Sequence, residues 1–282
     1  MKREVILAEN AGFCFGVKRA VDESLKARDE KGKKIYTLGP LIHNKDVVND
    51  LESKEITAIS LEDIDKLSEE DVVVIRSHGV KEKVITTLNS NGLVVNNATC
   101  PYVTNIHKKV KEYYTKGYQI VILGDENHPE VVGINGWCED TAIVATAENI
   151  DTISFPKKVC VVSQTTEKKE NWDIVLSKIV SQVKELVAFN TICAATDERQ
   201  ESAQSISNKA DMVIVIGGKN SSNTTKLFEI CKKNCENTYH IENAKDLTDE
   251  IINYDCKVIG VTAGASTPDY IINEVITILE NN

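Results

Sequence analysis

Residues 72–79 read VVVIRSHG, four β-branched residues followed directly by arginine, serine, histidine and glycine. Unbroken apolarity over four residues is typical of a strand that is buried on both faces of a parallel sheet. Further short apolar runs recur along the chain, with helix-like segments between them. They comprise residues 5–7, 35–38, 120–123, 159–162, 213–216 and 258–261. This alternation predicts βαβ units and an α/β fold with mainly parallel sheets.

Polar side chains concentrate just after these predicted strands. Ligands of open α/β sheets bind beyond the carboxyl ends of the strands. Imidazole, hydroxyl and amide groups there are suited to hold phosphate oxygens. The candidate phosphate-binding residues are His43, His78, His128, Ser221, Ser222, Asn223 and Ser266.

A carboxylate, Glu130, follows His128 and Pro129 in one of these loops. It is a candidate proton donor if the surrounding cavity is dry. We expect the hydroxyl groups of Thr165 and Thr166 in the same cleft.

Composition narrows the classes of function. The 282 residues suffice for two or three domains, and the net charge of -10 opposes nucleic-acid binding. No apolar run approaches the ~18 residues of a membrane span, and the N-terminus lacks the apolar core of a signal peptide. We therefore expect a cytoplasmic protein with no membrane and no nucleic-acid partner.

Three of the eight cysteines stand apart. Cys14, Cys100 and Cys193 lie at predicted strand-to-helix junctions, where a thiolate can face a cleft. The others are expected to be small buried apolar residues, in a reducing compartment where disulfides are rare. These are Cys138, Cys160, Cys231, Cys235 and Cys256.

The three junction cysteines are separated by 86 residues (100 minus 14) and 93 residues (193 minus 100). That spacing predicts a trefoil of three similar α/β domains, each donating one cysteine to a central cavity. The predicted boundaries are 14–98, 99–192 and 193–282, with residues 1–13 adding a strand to the third domain.

Three thiolates match an iron-sulfur cubane that leaves one iron open for substrate, because structural metal sites are usually fully coordinated by protein. Two alternatives stay open at this point. One is a zinc-stabilised α/β protein that recruits His43, His78 or His128 as a further ligand. The other is a non-catalytic protein that binds a phosphorylated ligand.

Two helix starts are also predicted. Thr99 is the expected N-cap of a helix with Pro101 in its first turn. Another helix is expected from about Asn171, with Val183 and Leu186 at the end of its apolar stripe.

Taken in order, the loops resemble those of the 4-hydroxy-3-methylbut-2-enyl diphosphate reductase (LytB/IspH) family, over nearly the whole chain. The matching segments are Gly12-Phe13-Cys14-Phe15-Gly16-Val17, Gly39-Pro40-Leu41-Ile42-His43-Asn44, Arg76-Ser77-His78-Gly79, Ala98-Thr99-Cys100-Pro101, His128-Pro129-Glu130, Ser163-Gln164-Thr165-Thr166, Ser221-Ser222-Asn223 and Thr262-Ala263-Gly264-Ala265-Ser266. Asp197 and Glu198, after the third cysteine, are less standard for that family.

The resemblance implies a three-domain trefoil around one 4Fe-4S cluster with three cysteine ligands and one open iron. It implies reductive dehydroxylation of an allylic diphosphate to isopentenyl and dimethylallyl diphosphates, the last step of the non-mevalonate isoprenoid pathway. Glu130 would deliver protons to the substrate hydroxyl, and Thr165 would orient that group. A ferredoxin or flavodoxin would donate the electrons. The cluster ligands would be Cys14, Cys100 and Cys193, and the diphosphate ligands His43, His78, His128, Ser221, Asn223 and Ser266, with Ser222 as a further candidate.

Overall fold

A computed structural model describes residues 3–29 and 34–281, in which strands and helices alternate. The strands are β1 (Glu4–Leu7), β2 (Ile35–Leu38), β3 (Ile56–Ile59), β4 (Val72–Ile75), β5 (Val94–Asn97), β6 (Gln119–Leu123), β7 (Ile143–Ala145), β8 (Lys158–Ser163), β9 (Glu185–Ala188), β10 (Met212–Ile216), β11 (Thr238–Ile241) and β12 (Val258–Ala263). The α-helices are α1 (Phe15–Asp29), α2 (Lys45–Ser53), α3 (Glu82–Ser90), α4 (Pro101–Thr115), α5 (Pro129–Asn135), α6 (Lys169–Val180), α7 (Ala194–Ser207), α8 (Ser222–Asn234), α9 (Asp249–Ile252) and α10 (Asp269–Glu280).

The described strands form three four-stranded sheets, and every pairing is parallel. Their strand orders are β3-β2-β4-β5, β7-β6-β8-β9 and β1-β12-β10-β11. The predicted α/β class with three parallel sheets is thereby confirmed.

Both faces of the central strands are buried, as unbroken apolarity predicts. In β10, Ile214 and Ile216 belong to the apolar cluster that includes Val275 of α10. Val213 and Val215, which point to the opposite face, cluster with residues of α8. Helices therefore cover this sheet on both sides.

Five of the described strands were not predicted from the sequence, and all five lie at sheet edges. They are β3, β5, β7, β9 and β11. Their side chains are partly exposed, as in the exposed, half-buried, half-buried, exposed pattern of β5 and β9. An edge strand needs no continuous apolar run, so it gives a weaker signal.

Two helix predictions need correction. Helix α4 is capped by Cys100 rather than Thr99, so the thiol itself stands at the first position before the helix. Helix α6 ends at Val180, and Leu186, expected on its stripe, lies in β9. The chain turns after Val180, and that turn cannot be read from apolar spacing.

The chain divides into two compact units. One contains residues 1–18, 42–50 and 194–282, and the other contains residues 19–41 and 51–193. We call them the first and the second unit; the second holds two of the three sheets. Strand β1 pairs with β12 in the first unit. The exact domain boundaries proposed from the sequence remain a prediction.

Within the described residues, no helix is long and apolar enough to cross a membrane.

Candidate functional site

In the second unit, a buried carboxyl group is held by a threonine. Glu130 Oε1 accepts a hydrogen bond from the backbone N–H of Thr165 at 2.6 Å, and Oε2 accepts one from its hydroxyl at 2.7 Å. Glu130 is 2% exposed and Thr165 is 8% exposed. Glu130 lies in the first turn of α5, while Thr165 follows β8. The two loops thus create a carboxyl and hydroxyl pair in which a proton can pass between oxygen atoms.

Two histidines lie beside this pair in the same unit. His128 is the N-cap of α5, and its Nδ1 accepts a hydrogen bond from the Glu130 backbone N–H at 3.1 Å. Because Nδ1 is the acceptor, the proton of the neutral ring is on Nε2, which is therefore a donor. The ring of His78 meets that of His128 edge to face, with centroids 5.5 Å apart.

Backbone hydrogen bonds tie two of the candidate cysteines to these loops. The backbone N–H of Cys193 donates to the Thr165 carbonyl at 3.0 Å. The backbone N–H of Cys100 donates to the Ser77 carbonyl, next to His78, also at 3.0 Å. Within the described residues neither cysteine forms a disulfide, and both are partly exposed. The second unit therefore fixes two thiols relative to the residues predicted to handle substrate.

The third cysteine lies in the first unit, directly before α1. Its backbone N–H donates to the Ala265 carbonyl at 3.2 Å, and its Sγ accepts from the Val17 N–H at 3.4 Å. The sulfur thus lies within reach of an amide N–H at the start of the helix. Cys14 likewise forms no disulfide in the described part of the chain and is partly exposed.

The other polar candidates of the first unit follow β10 and β12. Ser221 caps α8 through the Thr224 N–H, and Asn223 is buried with an Oδ1 that has no hydrogen-bond partner in the described structure. Ser266 is buried beyond β12. Ser222, in the first turn of α8, is half-buried. A helix start with buried hydroxyl and amide groups is suited to an anion.

Glycine lets His43 approach this helix start. A Cβ on Gly218 would lie 2.3 Å from the backbone carbonyl oxygen of His43, so no other residue fits there without movement. The first unit therefore brings His43, Ser221, Ser222, Asn223 and Ser266 onto neighbouring loops.

Two arginines donate hydrogen bonds to the loops that carry the candidate cysteines. The sequence alone suggested no role for either of them. Arg19 donates to the Thr99 carbonyl at 2.9 Å, just before Cys100. Arg199 is buried and donates to the Gly12 carbonyl at 2.8 Å, two residues before Cys14. Each lies five or six residues beyond a candidate cysteine, in the second turn of the helix that follows, and this spacing is the signal that the sequence offers.

The remaining cysteines differ from these three. Burial raises the pKa of Cys138 to about 11 and the pKa values of Cys160 and Cys231 to about 12. Cys235 is buried as well, whereas Cys256 is only half-buried. Thiols that resist ionisation are poor metal ligands, in agreement with their predicted role as apolar residues.

The fold and these side chains define a class: parallel-sheet α/β proteins with polar loops beyond the strand ends and cysteines at helix starts. The model of the LytB protein family matches residues 5–280, and the chain belongs to that family.

Similar proteins carry one activity in their names. The 4-hydroxy-3-methylbut-2-enyl diphosphate reductase of Clostridium perfringens (strain ATCC 13124) is 66% identical over 98% of both chains. A solved (E)-4-hydroxy-3-methyl-but-2-enyl diphosphate reductase, described as the terminal enzyme of the non-mevalonate pathway, is 42% identical, with a TM-score of 0.72 over 99% of this chain and 100% of that one. The Plasmodium falciparum E-1-hydroxy-2-methyl-but-2-enyl-4-diphosphate reductase is 27% identical, with a TM-score of 0.90 over 99% of this chain and 88% of that one.

Proposed function

We propose that this chain is an iron-sulfur oxidoreductase that removes the hydroxyl group of 4-hydroxy-3-methylbut-2-enyl diphosphate, giving isopentenyl and dimethylallyl diphosphates. The reaction is the last step of the non-mevalonate isoprenoid pathway. The observation that carries the proposal is the buried Glu130 and Thr165 pair beside His128, in a chain of the LytB family.

The donor set fits one 4Fe-4S cluster on Cys14, Cys100 and Cys193. Within the described residues none of the three forms a disulfide, all are partly exposed, and each lies directly before a helix or at its cap. Thiolates are the usual ligands of such clusters, and three of them leave one iron open. When bound, the cluster supplies two electrons and a Lewis-acidic iron toward the substrate hydroxyl.

The protein's own groups bind the diphosphate and deliver protons. The candidates for holding the diphosphate oxygens are His43, His78, His128, Ser221, Ser222, Asn223 and Ser266. His128 donates from Nε2, because its Nδ1 is engaged by the Glu130 N–H. Hydrogen bonds from neutral donors suit an anion inside a chain whose net charge is -10.

Glu130 provides the proton on which the leaving group departs. Thr165 orients the substrate hydroxyl and relays the proton from the carboxyl group that it contacts. Two electrons and two protons enter, one C–O bond breaks, one C–H bond forms, and water leaves. Protonation at either of two allylic carbons accounts for the two products.

A ferredoxin or flavodoxin is the proposed electron donor, because the sequence carries no nicotinamide or flavin fingerprint. All eight cysteines lie in the described residues and none forms a disulfide there, which supports the proposal of a reducing, cytoplasmic compartment.

The Glu130→Gln variant tests the proton path. The glutamine amide oxygen can still accept from the Thr165 N–H, and its NH2 group can donate to the Thr165 hydroxyl, so the geometry is kept while the acidic proton is lost. We expect turnover to fall about 10²- to 10⁴-fold, with the visible spectrum and diphosphate binding unchanged.

Glu126→Gln is the matched control, since Glu126 is an exposed carboxylate four residues earlier. It should keep normal turnover. Near-normal activity of Glu130→Gln would remove Glu130 from the proton path. Protein that stays colourless after anaerobic reconstitution, rather than brown with about four irons per chain, would favour zinc or simple ligand binding instead.

A further inference from the structure

A cavity of about 200 Å³ opens in the second unit, at the ends of β2 and β4 and against helix α5. Its wall is mainly apolar, and the side chains that matter here are Leu38, Ile59, Val80, Val84, Pro129 and Val132. None of the residues assigned to substrate or metal lines it. Ligand pockets for drug-sized molecules measure about 300–1,000 Å³, so this one is of a size for a compound of a few carbon atoms.

One wall of this cavity carries an uncompensated positive charge. Arg76 lines it, and the buried Nε of its guanidinium has no hydrogen-bond partner in the described structure. Burial alone lowers the pKa of Arg76, and no acidic side chain offsets that effect. No aspartate or glutamate is among the lining residues.

The other polar groups of the wall are already engaged. Lys81 forms an ion pair with Asp140 at 2.8 Å. The Ser60 hydroxyl donates to the Asp63 carboxylate at 2.8 Å, and that carboxylate also pairs with Lys66. Among the described residues that line the cavity, Arg76 is therefore the one cation without an ion-pair partner, and its surroundings are apolar.

A half-buried guanidinium without an ion-pair partner is costly to the folded protein, because arginine stays charged and has lost part of its hydration. An anion in the cavity would remove that cost. We propose that this cavity is a binding site for a small carboxylate with a short aliphatic body, whose carboxylate pairs with the Arg76 guanidinium. A planar carboxylate matches the guanidinium fork, and the apolar wall covers the aliphatic carbons.

A single negative charge is favoured over a phosphate dianion. The second charge of a phosphate ester would find no cation, since Lys81 is committed to Asp140. Acetate also carries a single charge, but we do not expect it to bind tightly, because it leaves the apolar wall uncovered.

Titration calorimetry on the full, cluster-loaded chain tests the proposal with 3-methylbutanoate as the probe. The neutral 3-methylbutanamide has nearly the same shape without the charge, acetate has the charge without the body, and inorganic phosphate tests the dianion. We expect 3-methylbutanoate to bind at least about tenfold more tightly than each of the other three. The amide lacks the charged hydrogen bond and phosphate carries a second charge, whereas acetate lacks the three further carbon atoms that the apolar wall would cover.

Variants locate the site. Arg76→Met keeps the apolar stem and should weaken 3-methylbutanoate at least about tenfold, while raising the melting temperature without ligand because the unpaired charge is gone. Lys81→Met removes a cation of the same wall that is already paired, and should change the affinity less than about threefold.

Absence of 3-methylbutanoate binding, equal binding of the amide, tighter binding of phosphate, or unchanged affinity in Arg76→Met would each overturn the proposal. If Arg76→Met fails to fold, the comparison of carboxylate and amide on the unmodified chain still decides. Binding is measured without turnover, so an inactive enzyme does not affect the outcome.

Discussion

His107 should make this protein sensitive to acid. It lies in α4, is 3% exposed, and stacks on Trp137 with ring centroids 4.9 Å apart. Its Nε2 has no hydrogen-bond partner in the described structure. Burial lowers the pKa of His107 from 6.5 to about 4, because the charged ring would lose its hydration without a compensating anion.

The sign and size of the effect of His107 on the free energy of unfolding follow from proton linkage. The unfolded chain binds this proton more readily than the folded one, so stability rises with pH. The contribution of His107 is fully present above about pH 6.5, falls as the pH drops towards about 4, and is constant below that. The complete loss is about 3 kcal/mol, and about 2 kcal/mol of it falls between about pH 7 and about pH 5.

Urea unfolding at a series of pH values measures this, with the unmodified chain compared with His107→Phe and His107→Gln. Neither replacement titrates, so both variants should lose about 2 kcal/mol less than the unmodified chain between about pH 7 and about pH 5. The control is Trp137→Phe, which keeps an aromatic face on His107 but loses the indole hydrogen bond to the Val80 carbonyl. It should cost about 1 kcal/mol at every pH and leave the slope unchanged.

A direct readout is the ring resonances of His107 in a labelled sample. They should remain those of neutral imidazole down to about pH 5. Titration near 6.5, or parallel stability curves for the unmodified chain and both His107 variants, would show that burial does not act on this ring as argued.

Two further predictions concern the thiol of Cys100 and two glycines, all of them in the second unit. Cys100→Ser should lower iron and sulfide content together with activity, whereas Cys256→Ser, at a half-buried thiol outside the candidate site, should keep both; full iron content in Cys100→Ser would contradict its role as a ligand. Gly136→Ala should lower the urea midpoint, because its Cβ would lie 2.9 Å from the backbone Cα of Lys81. Gly133→Ala should be tolerated or stabilising by about 0.5–1 kcal/mol, because its Cβ meets nothing closer than 3.5 Å and alanine favours the helix; equal losses in the two variants would refute the steric argument.

The sequence indicated the sheet cores far better than the sheet edges. Central strands such as β4 must be apolar at every position, because helices cover both faces, and that pattern is visible without a structure. Edge strands such as β5 are partly exposed along their length and contain asparagine, so their sequences resemble those of loops. Whether a strand is central or at an edge depends on the strands beside it, and the residues of the strand do not specify those neighbours.

The candidate site could likewise be predicted only in part from the sequence. Residue type and position beyond a strand end suggested Glu130 and Thr165, but the two hydrogen bonds between them join residues 35 positions apart. Their roles remain predictions. His107 and Arg76 could not be recognised, because a buried unpaired imidazole or guanidinium has the same sequence signature as an exposed one. Only packing separates them.

The strand order explains why the first candidate cysteine occurs at the very start of the chain. Written from the edge without a cysteine, the three sheets read β3-β2-β4-β5, β7-β6-β8-β9 and β11-β10-β12-β1. In each sheet the fourth strand leads to a candidate cysteine: β5 to Cys100, β9 to Cys193 and β1 to Cys14.

Strand β1 therefore occupies in its sheet the position that β5 and β9 occupy in theirs, although it comes first in the sequence. The third sheet therefore has the same strand arrangement as the other two, but it takes its last strand and its cysteine from the N-terminal part of the chain. The two central strands of every sheet lead to the polar candidates instead, for example β4 to His78 and β8 to Thr165. Each repeat thus separates a thiol, which follows an edge strand, from the groups predicted to handle substrate, which follow central strands. The carboxyl ends of parallel strands lie at the same end of a sheet. In every sheet the cysteine and the polar candidate residues therefore lie at that end.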